Sequence, residues 1–283
     1  MLNAPGLEPV EYLIVGHTIY DLMPDGGRIG GTTAYAGLTA RALGLRVGVV
    51  TAWGGELPLE DTFKGIQLAG IESEHSTTFE NVYTKQGRVQ TIHHFADALD
   101  LHMIPESWRR APIVHLAPLV HEVSPQIIHY FSKSLLCLTP QGWLREWDAE
   151  GKVRPAEWPE ANFVLPNIDA AVISIEDVNG DQRRIDEMAA ACNMLVVTYG
   201  AGGAGLYWNG QVYHSGAIQV EEVDPTGAGD IFAAAFFYRL YSGAGPEEAM
   251  HFANRVAGNS VTRQGLDSAP TQDEIYDLMT EVY

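Results

Sequence analysis

Short apolar runs alternate with small-residue helical stretches along most of this chain, and that alternation restricts the folds open to it. "EYLIVGHTIYDL" contains the apolar run Tyr12–Val15, followed by a loop, and "TTAYAGLTARALG" reads as a helix stopped at Gly44. "RVGVVTAWG" is a second strand, and "LEDTFKGIQLAGI" reads as helix again. "PIVHLAPLV", "LLCLTPQG", "ANFVLPN" and "MLVVTYG" continue the strands, with helices expected at "SPQIIHYFSKS" and over 181–191. A long helical half follows Gly227. Strands separated by helices form βαβ units, so the expected class is a three-layer α/β/α fold around a mainly parallel central sheet.

The pattern changes between Ser76 and Ala96. "TTFENVYTKQGRVQTIHHF" is rich in β-branched and aromatic residues, with a polar turn at "KQGR", and reads as a hairpin with one wet face. "DGGRIGG" supplies a further strand. A single domain, 1–283, is expected, with a small β-lid inserted from segments near 22–30 and 76–96. Asn209-Gly210 within "GLYWNGQVYH" marks a two-residue hairpin. "IQVEEV" reads as strand and "GKVRPAEWP" as a surface loop.

Charge narrows the partners. Lys and Arg number 17 against 36 Asp and Glu, a formal charge of -19. Such a chain repels nucleic acid and anionic membranes at long range. No apolar run approaches the ~18 residues that span a bilayer. "MLNAPGLEPVEY" lacks the basic and apolar regions of a signal peptide, and the two cysteines, Cys137 and Cys192, make no disulfide framework. A cytoplasmic setting is expected. Ten histidines invite a zinc reading. However, His93 and His94 are adjacent in a strand and face opposite ways, no H-E-x-x-H occurs, and His115 and His121 are expected to pack locally or edge a site.

Two glycine-rich stretches compete for the site. "GAGGAG", Gly200–Gly205, matches G-x-G-x-x-G after a strand, with Glu221 near the distance of a ribose-binding acid, as in a nicotinamide-dependent dehydrogenase. That fingerprint must open a helix, and the alternating "LYWNGQVYH" opens a hairpin instead. "DPTGAGD" has the better context, because the apolar "IFAAAFFYRLY" follows it directly. The backbone N–H groups of Gly227, Ala228, Gly229 and Asp230 can converge on an anion at a helix N-terminus. A phosphate-binding loop alone has no use for the carboxylate of Asp230. A phosphoryl-transfer site does: the N–H groups stabilise the moving phosphoryl group, and Asp230 takes the proton of the attacking hydroxyl.

These stretches resemble the ribokinase-like, or PfkB, family of carbohydrate kinases. "DPTGAGD" looks like that family's C-terminal signature, "GGTTAYAGLTARALG" its N-terminal Gly-Gly signature, "VTYGAGGAGLY" its nucleotide-side strand end, and "FANRVAGNSVTRQG" its adenine-side helix and loop. The resemblance implies Asp230 as catalytic base beside an anion hole of Gly227, Ala228 and Gly229. It implies Asp21, Gly30, Gly31 and Tyr35 at the substrate, where Tyr35 replaces the family's Asn. Thr198, Gly200, Asn254 and Gly265 would border ATP. Mg²⁺ would lie by Asn167 and Asp169, although Ala170 stands at the acid position of the N-x-x-E motif. Asp224, Thr226, Ser260 and Gly265 fall where some members coordinate K⁺. Arg145, in "QGWLREW" after a strand, could reach a phosphate; its plainer reading is an exposed arginine.

The expected activity is transfer of the γ-phosphate of ATP to a hydroxyl of a small unphosphorylated sugar or polyol. The similarity to the inositol kinase branch puts myo-inositol first, with ribose, fructose or a nucleoside behind it. A non-catalytic sugar or nucleotide sensor is the other class of reading, favoured by Tyr35 and Ala170 and opposed by Asp230. A homodimer through the β-lid completes the expectations.

Overall fold

The apolar run Tyr12–Val15 becomes β1, buried at every residue and paired in parallel on both sides. The structure is a computed structural model, and it describes residues 6–23, 26–84 and 87–280. The first five residues of "MLNAPGLEPVEY" and Lys85-Gln86 of the "KQGR" turn lie outside them.

After β1 the chain forms β2 (Ile19–Met23), β3 (Gly26–Gly30), α1 (Thr32–Ala42), β4 (Val47–Trp53), α2 (Leu59–Thr62), β5 (Gln67–Glu72), β6 (Thr77–Thr84) and β7 (Gly87–His94). Then come β8 (Ile113–Leu116), β9 (Leu135–Leu138), β10 (Arg145–Trp147), β11 (Val153–Pro155), α3 (Ala161–Val164), β12 (Ala170–Ser174), α4 (Gln182–Ala191), β13 (Met194–Thr198), β14 (Ala204–Trp208) and β15 (Gln211–Ser215). Three helices close the chain: α5 (Ala228–Tyr241), α6 (Pro246–Ser260) and α7 (Gln272–Thr280). The nine-stranded body sheet runs β15-β14-β13-β12-β9-β8-β1-β4-β5. It is parallel except for β14 and β15 at one edge. One apolar cluster packs under α1, α5, α6 and α7. The other lies beneath short 3₁₀ turns, α3 and α4. The result is the expected three-layer fold, with one thin outer layer.

Several local readings need correction. "LEDTFKGIQLAGI" is helical only over α2; Gly65, at φ 81°, ends it, and the rest is the edge strand β5. "SPQIIHYFSKS" forms only a 3₁₀ segment, Pro125–Tyr130, because Phe131 turns straight into the core. "ANFVLPN" is a helical turn, not a strand, and Pro166 opens its 3₁₀ continuation. The strand is the next stretch, where the small Ala170 and Ala171 fit against Cys137 and Leu138 of β9. "IQVEEV" joins no sheet: Val223 and Asp224 donate their N–H groups to the Val261 carbonyl and so tie this loop to the end of α6. In "GKVRPAEWP", Val153–Pro155 pairs with β10 as an antiparallel arm.

The lid is a separate four-stranded sheet, β3-β2-β6-β7. It begins at Ile19, in what reads as a loop from sequence. Period-two alternation puts Ile19, Asp21, Phe79, Asn81 and Gln90 on the face toward the body. The β10–β11 arm reaches the lid's edge, where the Ile92 N–H donates to the Gly151 carbonyl at 2.8 Å.

Candidate active site

The lid covers the C-terminal ends of the parallel strands, where open α/β sheets bind ligands. Between them lies a cavity of about 540 Å³ lined from both sides. Its floor is the start of α5. Gly227 caps this helix at φ 79°, a left-handed conformation that suits glycine. A Cβ there would lie 2.3 Å from the Tyr35 ring, so glycine is also needed for that close contact. The Ala228 N–H is engaged by the Pro225 carbonyl at 3.2 Å. Of the four N–H groups expected to converge on an anion, this leaves those of Gly227, Gly229 and Asp230. Asp230 follows in the first turn, and Thr32 donates its hydroxyl to Asp230 Oδ1 at 2.7 Å. Burial is the largest influence on this carboxyl and raises its pKa to about 6; Asp177 pushes the same way, while the Thr32 bond and Arg145 oppose. Asp230 is therefore ionised at neutral pH, yet basic enough to accept a proton.

The end of the cavity under the lid is wired through side chains. Asn81 Nδ2 donates to Asp21 Oδ1 at 3.0 Å, and Gln90 Nε2 donates to Asn81 Oδ1 at 2.8 Å. Asp21 sits on strand β2. Gly30 lies so close that a Cβ would meet Asp21 Oδ2 at 2.4 Å. Gly31, at φ 87°, starts α1. Tyr35 is 3% exposed, and its phenol is held far above its usual range by burial and by Asp21, Asp224 and Asp230. It forms a wall of the cavity more than a flexible arm. Arg145 is 9% exposed and lines the cavity, which corrects its plainer reading as a surface arginine.

The opposite end is built from different material. Thr198 and Gly200 line it at the end of β13, with Ala217, Ile218, Ala257 and Gly258 opposite. Gly200–Gly202 forms a 3₁₀ turn that leads into β14, so the dinucleotide fingerprint opens a hairpin as its sequence implies. Asn254 borders the cavity with its amide donating to the Ser215 carbonyl. Gly265 lies outside the lining, and its N–H donates to Asp224 Oδ2. Asp224 also accepts from the Thr226 N–H. Burial opposes ionisation of Asp224, but these bonds outweigh it and lower the pKa. The Ser260 hydroxyl is turned to the Ala257 carbonyl.

The magnesium assignment to Asn167 and Asp169 is corrected. Both precede β12, at the end of the strand remote from the cavity. Asn167 donates to the Phe163 carbonyl, and Asp169 accepts from the Leu136 N–H. Glu176 and Asp177, just past the other end of β12, line the cavity together with Asp21, Glu222 and Asp230. Asp177 accepts from the Ser174 N–H and from Gln141 Nε2. The described residues hold no group of three or more metal-ligating side chains. Two adjacent carboxylates on the cavity wall do fit Mg²⁺, which keeps waters and takes its other ligands from substrate phosphates. A signal was present in the sequence: "SIED" carries a polar residue and an acid three apart after an apolar run. Thr32, Asn81, Gln90, Thr139 and Gln141 also went unread, since each passes for an ordinary cap, strand or loop residue.

Residues 145–273 match the pfkB family of carbohydrate kinases. The chain is 25% identical over 274 residues to a cytidine kinase of Thermococcus kodakarensis, across 90% of this chain and 98% of that protein. It is 27% identical over 151 residues to an inositol 3-kinase of Zea mays, across 51% of this chain and 38% of that protein. Its fold matches that of Arabidopsis thaliana ribokinase complexed with ribose and ATP, at a TM-score of 0.74 and 19% identity, across 96% of this chain and 99% of that one. No helix among the described residues is long and apolar enough to cross a membrane.

Proposed function

We propose, from the premise that this chain belongs to the PfkB family of carbohydrate kinases and is a phosphotransferase, that it moves the γ-phosphate of ATP to an unphosphorylated polyhydroxy ring, with myo-inositol first. The observation that carries the reading is Asp230 in the same helix turn as free N–H donors, with its pKa near 6. A sensor needs no base there. In the reaction, Asp21 and the Asn81–Gln90 pair orient the acceptor, and Asp230 accepts the proton of the attacking hydroxyl. The N–H groups of Gly227, Gly229 and Asp230 hold the equatorial oxygens of the phosphoryl group. Glu176 and Asp177 would hold Mg²⁺, which offsets phosphate charge when bound. ATP as donor is supported by the family match and by the apolar, small-residue cleft beside Thr198.

The preference for a polyol rests on the linked carboxylate and amides of the lid, which match a ring bearing several hydroxyls. The partial likeness to an inositol 3-kinase agrees. A nucleoside acceptor is the second reading, supported by the nearly full-length likeness to a cytidine kinase and by the aromatic wall of Tyr35. ADP release over myo-inositol, cytidine, ribose, fructose and fructose 1- and 6-phosphates separates these readings. A sugar phosphate as the best acceptor by kcat/KM would sink the proposal.

A further inference from the structure

We propose that Thr139 donates a hydrogen bond to the transferring phosphoryl group, and that a buried Tyr12–His115 pair aims its proton there. Thr139 directly follows β9 and lines the cavity at 8% exposure. Behind it, His115 is wholly buried in the sheet, with Nε2 2.9 Å from Thr139 Oγ1 and Nδ1 3.1 Å from the Tyr12 hydroxyl. Tyr12 is also fully buried.

The proton count then has one solution. Burial depresses the His115 pKa to about 3, so its ring carries one proton. The Tyr12 hydroxyl has His115 Nδ1 as its hydrogen-bond partner. If Nδ1 bore the ring proton, the phenolic proton would be buried without an acceptor, at a cost of about 1–3 kcal/mol. Tyr12 therefore donates to Nδ1, and the ring proton sits on Nε2. That proton is donated to Thr139 Oγ1, so the Thr139 hydroxyl cannot donate back to the ring. Its own hydrogen is left for another acceptor, and the cavity that Thr139 borders is where the proposal puts it. The same loop continues through Gln141, which is bonded to Asp177, to Arg145, whose charge reaches Asp230. Thr139 thus belongs to a segment whose neighbours reach Asp177 and Asp230, the groups that the kinase reading sets around the phosphoryl group.

This inference rests on the kinase reading for its ligand, but not for its proton arrangement. Long-range ¹H–¹⁵N spectra of the histidine rings should show His115 as the Nε2–H tautomer. Tyr12→Phe should shift that resonance toward a mixture of tautomers and lower kcat a few-fold. Thr139→Val should lower kcat about 10- to 100-fold, the range for a hydrogen bond to a charged group, with both KM values within about two-fold. Thr139→Ser should restore most of the rate. Calorimetry with ADP and aluminium fluoride, a phosphoryl mimic, needs no turnover; Thr139→Val should weaken its binding about 10-fold or more. An Nδ1–H tautomer in the wild-type protein, unchanged mimic binding, or a raised acceptor KM at unchanged kcat would each overturn the proposal. Turnover absent with every acceptor, alongside the expected tautomer and mimic result, would instead count against the kinase reading alone.

Discussion

At the acceptor end of the cavity, side chains hold one another: Gln90 to Asn81, Asn81 to Asp21, and Thr32 to Asp230. At the donor end, glycines, alanines and Ile218 shape a cleft, and Asn254 spends its amide on a backbone carbonyl. The two ends therefore discriminate by different means. A linked polar array rejects a ligand that leaves its donors or acceptors unpaired, which costs much more than an imperfect apolar fit. A cleft of small residues selects by shape. Substitutions at the acceptor end should act through chemistry and acceptor recognition, and those at the donor end through modest changes in donor affinity.

Asp230→Asn tests this most severely. The amide cannot take the proton, and kcat should fall at least about 100-fold while calorimetry still detects ATP binding. Stability should move the other way. The pKa of Asp230 is raised in the folded protein, so its ionised form costs stability increasingly as pH rises from about 4 through about 6. At neutral pH the Asn variant escapes this cost, on the order of 1 kcal/mol after allowance for partial exposure. A higher Tm with lost activity would separate removal of a base from misfolding; near-wild-type kcat would refute the assignment.

Asp21→Ala comes next. It removes the acceptor's carboxylate and leaves the Asn81 amide without its partner. Acceptor kcat/KM should drop about 10- to 100-fold, with ATP affinity nearly intact, as expected for hydrogen bonds to a charged group. Loss of ATP binding with acceptor binding unchanged would invert the assignment of the two ends.

These two carboxylates also mark how far sequence carries. Asp230 and Asp21 lie in motifs whose local pattern encodes both backbone and chemistry: glycines where a Cβ would collide, then an acid. The parallel strands β1, β4, β8, β9 and β13 were readable because each is a short apolar run, whereas β5 reads as the end of a helix and β12 was displaced into "ANFVLPN". Asp177 was missed for the opposite reason. "DAAVIS" carries two alanines and resembles a helix until β9 and β13 are known to flank it. Asn81 and Gln90 meet only because two lid strands pair in register, information that neither strand holds alone. The donor cleft was legible only as a family likeness, since its contacts come from backbone positions and from Ile218 crossing to α6.

The pH profile offers a graded test of the acceptor end. With ionised Asp230 as the proposed base, kcat/KM should fall as pH drops through about 6. Arg145 favours the carboxylate, and Arg145→Gln should shift this acidic limb upward by less than about one unit. A downward shift would contradict the placement of that charge.

The smallest effect belongs to the donor end. Gly258 lies within α6, and an added Cβ would come 2.3 Å from Ile218 Cγ1. Ile218 is only partly buried and its loop forms no sheet, so it can move aside. Alanine also favours helix over glycine by about 1 kcal/mol, which offsets the cost of that shift. Gly258→Ala should therefore keep its Tm within a few degrees, raise the KM for ATP a few-fold, and leave the acceptor KM unchanged. Equal changes in both KM values would mean that the cleft by Ile218 and the lid array respond together, and the division of the cavity into a shape-selective end and a hydrogen-bonding end would fail.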